Sequence, residues 1–251
     1  MKRIVLLLIA SLMVFSCAGK NAGEITANEL FQQGLNQFSE EDYNDAAKLF
    51  ERTIMKANTP ELAASAQLFL ADSYFMMEDY AQAIPSYEQY LNIYGGSKEE
   101  PRVIYRLATS YYRLIPSIDR DQTNTRKALK QFEILEKKYP EFAKEKNTDK
   151  LINKLRNKLA RKEMYIADFY FRIGEEEAAA ARLKNIVENY KNTKVFPRAA
   201  LRLSEYFIEK GKHETQAVTY LNSVLRQENG KQYLSEVSEM LDKLQKDMGS
   251  E

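Results

Sequence analysis

The stretch DYNDAAKLF, residues 42–50, returns as DYAQAIPSY at residues 79–87. Asp42, Tyr43, Ala46 and Phe50 become Asp79, Tyr80, Ala83 and Tyr87, each displaced by 37 residues. The segment between them obeys the same shift, because Leu70, Ala71 and Tyr74 recur as Leu107, Ala108 and Tyr111. Near the C-terminal end, Gly174 with Ala180 matches Gly211 with Ala217, again 37 apart. A fixed period of this size marks a repeat array, whose units stack because none can bury its apolar face alone. Apolar residues within a unit recur at helical spacing, so the expected fold class is all-α.

The small and aromatic residues at these places resemble the tetratricopeptide repeat, in which small side chains let paired helices approach and aromatics fill the gap. About five repeats can be drawn, at 27–59, 60–97, 100–140, 150–191 and 195–229. A last amphipathic helix with Tyr233, Leu234, Val237, Met240, Leu241 and Leu244 on one face would cap the superhelix. Helix-stopping residues mark the joints: Pro60, Gly95 with Gly96, Pro101, Pro140 and Pro197.

One joint differs. From Ala128 to Ala180 the displacement is 52, which is 37 plus 15. The segment Lys150 to Arg172 carries Leu151, Leu155, Leu159, Ile166 and Phe169 at helical spacing and is expected to form one long connecting helix. It separates an N-terminal module (27–140, repeats one to three) from a C-terminal module (141–251, repeats four and five with the capping helix). The third repeat also carries extra residues, between Leu114 and the helix expected near Asn124. There Asp119, Arg120 and Asp121 form a candidate structural loop. Asp121 or Thr123 can cap the following helix, and Arg120 can reach back to a helix end or carboxylate of the neighbouring repeat.

Residues 1–16 read as a leader: Lys2 and Arg3, then an apolar run from Ile4 to Phe15 that is too short for a hydrocarbon layer of ~30 Å. The ending VFSC resembles a bacterial lipobox, which makes Cys17 the expected lipidation site and 17–26 a polar tether. Acyl chains contribute ~0.8 kcal/mol per buried methylene, so several of them hold a protein stably on a membrane. Ala18 after the cysteine resembles the pattern of proteins sorted to the outer membrane of a diderm bacterium, facing the periplasm. With one cysteine in the chain, no internal disulfide can form.

The charge balance, 37 basic against 36 acidic residues, gives no reason to expect nucleic acid as a partner. His213 is the only histidine, and the sequence has neither a Gly-rich phosphate cradle nor a CxxC pair. Carboxylates stand among lysines and arginines on helix faces. Catalysis, a metal and a cofactor are therefore not expected.

A helical array of this kind offers a concave surface for peptides. With Gly34, Ala71 and Ala108 as the small eighth residue of each first helix, positions five and twelve are Phe31 and Phe38, Leu68 and Phe75, and Tyr105 and Tyr112. Position nine is Leu35, Asp72 and Thr109. Such walls would suit an extended peptide with its own aromatic side chains. A slip of one position turns several of them into ordinary packing between helices, and partial exposure of Phe75 and Tyr112 separates the two readings.

The run IPSIDRDQ, then Thr125, Ala128, Phe132, Leu135 and Tyr139-Pro140, then LRNKLARKE and AAAARLKNIVENY, resembles the BamD family of tetratricopeptide-like lipoproteins. The resemblance implies a scaffold of the outer-membrane β-barrel assembly machinery. Its N-terminal half would bind the C-terminal signals of unfolded outer-membrane proteins, and its C-terminal half would dock on POTRA domains of the BamA barrel. Arg182 stands where the family places an arginine of the BamA contact. Further assembly lipoproteins vary among bacteria and leave no mark on this sequence. YGGSK at 94–98 and Tyr190-Lys191 depart from the family's Tyr-Pro pairs. The competing reading is another repeat-containing envelope lipoprotein, coordinating cell-wall synthesis or DNA uptake.

Overall fold

The structure, a computed structural model, describes residues 24–211 and 214–248; the leader, Cys17 and His213 lie outside them. The described residues form twelve α-helices and no strand. These are α1 (Ala27–Ser39), α2 (Tyr43–Lys56), α3 (Pro60–Met76), α4 (Tyr80–Tyr94), α5 (Glu100–Arg113) and α6 (Thr123–Lys138). There follow α7 (Pro140–Glu145), α8 (Thr148–Arg172), α9 (Glu176–Asn189), α10 (Phe196–Glu209), α11 (Glu214–Leu225), a 3-10 turn (Glu228–Tyr233) and α12 (Leu234–Met248). Each packs on the next, and α6 also reaches past the short α7 to meet α8 directly. The all-α repeat architecture expected from the period of 37 is therefore present, and no helix among the described residues is long and apolar enough to cross a membrane.

The Asp-Tyr signature is a helix start. Asp42 Oδ1 accepts the Asp45 N–H at 3.2 Å, and Asp79 Oδ1 accepts the Gln82 N–H at 3.2 Å, satisfying amides that the first turn leaves without partners. The preceding residue must turn the chain through a left-handed conformation, with φ of 64° at Glu41 and 58° at Glu78. Gly174 and Gly211 take the same place in later repeats, with φ of 80° and 59°. α1 is capped differently: Thr26 accepts the Glu29 N–H while Glu29 accepts the Thr26 N–H at 2.8 Å. Lys56 of α2 also bonds Glu24 at 2.7 Å and the Ile25 carbonyl at 3.3 Å, so the last residues assigned to the tether are held against the first repeat.

Small residues permit close approach. A Cβ added at Gly34 would lie 2.7 Å from the ring of Phe50, and Ala71 and Ala108 are fully buried. A second repeated contact joins one unit to the next: the Tyr74 hydroxyl donates to Glu51 at 2.8 Å and, 37 residues on, the Tyr111 hydroxyl donates to Glu88 at 2.5 Å. Burial, then the adjacent carboxylate, pushes the Tyr74 hydroxyl up to about 12 and keeps both phenols protonated as donors.

Two large apolar clusters share α8. Ile152 and Leu155 belong to the central cluster with Tyr87, Leu107 and Phe132, whereas Ala160, Met164 and Ala167 belong to the C-terminal one with Leu183 and Leu203. The buried stripe thus passes through Met164 and Ala167; Phe169, expected on that face, is 47% exposed because the stripe has rotated away from it. α7 follows the drawn module border at 140 yet packs back on repeat three, through Ala143 against Ile104 and Leu135. On α12, Val237 and Leu244 are buried, while Leu234 at its first turn points outward.

The YGGSK joint is held by Glu100, the buried first residue of α5. It accepts the Gly96 N–H at 2.6 Å and the Tyr139 hydroxyl at 2.9 Å, and pairs with Lys138. Burial alone would raise its pKa; the Lys138, Tyr139 and Gly96 bonds outweigh that and hold the carboxyl below its ordinary 4.5. A depressed carboxylate stabilises the fold above its unfolded pKa and loses that contribution as pH falls through the folded one. Glu100→Gln should therefore cost about 1–2 kcal/mol at pH 7, with the difference from the native chain shrinking in melts below pH 4.5; an unchanging gap would contradict it. Glu78→Gly should raise stability by about 1 kcal/mol, because glycine accepts the left-handed turn without a Cβ clash. A lowered melting temperature would show that this turn carries no strain.

Candidate functional site

The aromatic stripe of the first helices is only partly a surface. Phe31 packs on Phe50 and Phe69 at centroid distances of 5.7 and 5.9 Å, and Phe38 on Tyr43 and Phe69 at 5.1 and 5.4 Å. With Leu35 they wedge between helices of the first and second repeats. Tyr105 turns toward Phe132 and Phe142, at 6.0 and 6.3 Å, and the Thr109 hydroxyl donates to the Tyr105 carbonyl at 2.8 Å. Leu68 is buried in the central cluster. Phe75 and Tyr112 are half-buried, as Phe31, Phe38 and Tyr105 are, and Phe75 packs on Tyr80 and Tyr87 at centroid distances of 5.7 and 6.3 Å.

Asp72 lies inside, with a side chain only 4% exposed. A carboxylate there needs compensation. It receives the Tyr87 hydroxyl at 2.6 Å and Arg102 Nη1 at 2.7 Å, while Arg106 Nη1 lies 2.5 Å away. Burial first, then the charge of Asp72, pushes the Tyr87 hydroxyl far above its ordinary range. The Arg106 guanidinium also covers the Phe75 ring, 5.2 Å from its centroid. The stripe therefore converges at Phe75, Asp72 and Arg106, where a charged pair backs one aromatic face. The two arginines on α5 were not among the candidates. Their spacing of four on one helix face, opposite a carboxylate in the preceding repeat, was the available signal.

The third repeat replaces the left-handed turn with the segment 114–122. Gln122, 1% exposed, is its internal tie: its amide donates to the carbonyls of Ser117 at 2.9 Å and Arg120 at 3.1 Å, and its oxygen accepts the Thr125 hydroxyl at 2.7 Å. Asn124 donates to the Leu114 carbonyl at 3.0 Å, closing the loop's ends, and Asp121 accepts the Thr123 N–H at 2.7 Å where α6 begins. From α8, Lys158 and Lys162 donate to the carbonyls of Pro116 and Asp119 at 2.7 and 2.9 Å. Arg120 does not make the bridge expected of it. Its side chain is exposed, without an ion-pair or hydrogen-bond partner among the described residues, because the lysines of α8 reach the loop instead. Bonds to Ser117 and to its own backbone amide hold the exposed Asp119 carboxyl below its ordinary range.

Beside this loop, Tyr112, Ile115, Ile118 and Leu155 line a hollow of 570 Å³ with Lys154 and Arg161 at its edge. Lys154 stands over the Tyr112 ring, 5.3 Å from its centroid. Tyr112 is thus an aromatic candidate that lines a recess. Farther along, Arg182 of α9 lies 3.4 Å from Glu163 of α8 and keeps 42% of its side chain exposed, enough to offer an edge of the guanidinium to a second carboxylate. No group of three or more metal-ligating side chains occurs among the described residues.

Residues 23–223 match the family of outer membrane lipoproteins called YfiO. A Rickettsia prowazekii protein named outer membrane protein assembly factor BamD is 27% identical over 211 residues, 83% of this chain and 84% of its own. The chain belongs to the BamD family. A BamD of Caulobacter vibrioides, with the same assembly-factor name, is 26% identical over 207 residues, covering 80% of this chain and 68% of its own. Among solved structures, a thermophilic TPR protein of Thermus thermophilus is similar at a TM-score of 0.38 and 16% identity, over 86% of this chain and 99% of the other. The BamD match runs from the edge of the described residues into α11, so the aromatic stripe, the third-repeat loop and Arg182 all fall within it.

The loop contacts set a direct comparison. Gln122→Ala should lower stability by about 2 kcal/mol, since it strands the buried Thr125 hydroxyl and frees the part-buried carbonyls of Ser117 and Arg120. Arg120→Ala should change it by less than about 0.5 kcal/mol, as for a free surface side chain. Chemical denaturation of both variants measures this, and the reverse order would refute the assignment of the tie.

Proposed function

We propose that this chain is a non-catalytic scaffold of outer-membrane β-barrel assembly, anchored by lipid on Cys17 and facing the periplasm. The observation that carries the reading is family membership across residues 23–223, joined to relatives named as assembly factors. Its N-terminal repeats take the C-terminal, aromatic-ended signals of unfolded outer-membrane proteins at the half-buried rings of Phe75 and Tyr112. The exposed Lys154 beside the Tyr112 ring supports this, because an aromatic side chain next to a free carboxylate meets both needs there. Its C-terminal repeats dock on the POTRA domains of a BamA-like barrel, with Arg182 as a contact.

For Arg182 the geometry gives a specific basis. Glu163 holds the guanidinium in place at 3.4 Å without enclosing it, so a partner carboxylate finds an ordered arginine. Arg182→Glu would face Glu163 with a like charge and repel such a partner. The expected result is loss of co-purification with a POTRA-barrel protein from detergent-solubilised membranes, by at least about tenfold, while the circular dichroism spectrum is retained. Recovery at the native level would remove Arg182 from the interface. Capture of cell-wall enzymes or DNA-uptake proteins in place of a POTRA barrel would favour the competing envelope role.

A further inference from the structure

The hollow beside Tyr112 does not stand alone. A second one, of 400 Å³, lies between α8 and the start of α10, and the two share Ile118 and Arg161. Together they follow α8 from Lys154 to Asp168, about 21 Å of helix axis at ~1.5 Å per residue. That length accommodates about six residues of extended chain at ~3.3 Å each. Apolar side chains contribute to both linings, Tyr112, Leu155 and Ile118 in the first hollow and Met164, Val195 and Tyr233 in the second.

The charge along this recess is one-sided. Lys154, Lys158 and Arg161 border the first hollow, and Lys194 and Arg198 border the second. Among the described residues lining the two, Asp168 is the one carboxylate, and it is already paired with Arg202. Arg161, Lys194 and Arg198 are exposed and have no carboxylate partner among the described residues. The whole chain has 37 basic and 36 acidic residues, so this is a local concentration of positive charge and not a reflection of overall composition. Tyr165, 44% exposed, adds an apolar rim.

We propose that this recess along α8 docks an extended acidic segment of a partner protein, with apolar side chains entering the floor and carboxylates meeting Arg161, Lys194 and Arg198. Unpaired cations beside recessed apolar side chains are the complement of such a segment. A flat lipid surface would use the cations and leave the recessed floor empty, which is why a chain is the favoured occupant. The first hollow shares Tyr112 and Lys154 with the site proposed above for C-terminal signals; the acidic segment instead brings internal carboxylates to Arg161, Lys194 and Arg198, and a peptide blocked at both ends tells the two apart.

The test uses a fluorescein-labelled octapeptide alternating glutamate with leucine and tyrosine, blocked at both ends, titrated with the full chain in neutral detergent and followed by anisotropy. Binding should weaken steeply with added salt, disappear when the peptide's glutamates are replaced by glutamine, and fall about tenfold in the double variant Arg161→Glu, Arg198→Glu. The melting temperature of that variant should stay near the native value, which separates lost docking from unfolding. The proposal is overturned if the acidic peptide does not bind, if the glutamine peptide binds equally well, or if the double variant binds like the native chain. It is also overturned if phosphatidylglycerol vesicles bind through Arg161 and Arg198 while the peptide does not.

Discussion

One continuous helix serves two cores, and the relation between the halves of the molecule depends on it. α8 places Ile152 and Leu155 in the central cluster and Ala160, Met164 and Ala167 in the C-terminal one. A flexible linker would let the two sets of repeats reorient; an uninterrupted hydrogen-bonded helix transmits the position of one to the other. The third-repeat loop is fastened to α8 through Lys158 and Lys162, at the point where one cluster gives way to the next. The extra residues of that repeat therefore brace the crossover. Their internal tie is Gln122, whose three bonds leave no part of its amide unsatisfied in a site it cannot share with water.

Away from the crossover, order is carried by contacts that repeat with the period. The tyrosine of one unit's first helix donates to a glutamate on the preceding unit's second helix, at Tyr74 with Glu51 and at Tyr111 with Glu88. The aspartate caps and left-handed turns recur in the same way. None of these is strong alone, but each sets the orientation of one neighbour, and stability in a stacked array is a sum of such neighbour terms. Where the pattern lapses, a specific replacement appears: Glu100 holds the glycine joint, and the loop at 114–122 replaces the turn.

The fold was legible because its determinants are local and periodic. Small residues, caps and helix stops at a spacing of 37 locate the helix pairs, and the excess of 15 between Ala128 and Ala180 locates α8. The candidate groove was harder to read because a first helix in a stack meets its partner helix, its neighbouring repeat and the concave surface within one turn. Positions five and twelve sample more than one of these environments. All five aromatics are consequently half-buried: Phe31, Phe38, Phe75 and Tyr105 meet neighbouring rings, whereas Tyr112 borders a recess. Asp72 escaped a correct placement for a related reason: a buried carboxylate is intelligible only with Arg102 and Arg106, which are distant in sequence. Arg161, Lys194 and Arg198 looked like the solvated face of charged helices, and only the packing of α10 against the α8 region shows the recess they border.

The same helix orders the charges on either side of it. Glu163 of α8 steadies Arg182, and Asp168 steadies Arg202, so two arginines from later helices are held by carboxylates of the connecting helix. The Arg202 guanidinium also lies over Phe171, 4.4 Å from its ring centroid, adding an aromatic support. Along the neighbouring stretch the situation reverses: Lys158 and Lys162 spend hydrogen bonds on the loop, while Arg161 between them has no such partner. Residues 158, 161 and 162 lie within about one turn, yet their surroundings divide them into two that bind structure and one that faces the recess. A helix committed to two cores has little freedom left in its buried stripe, so differences in recognition must be written on its remaining faces. In α8 those faces carry carboxylates that order later arginines and a cation left available beside an apolar floor.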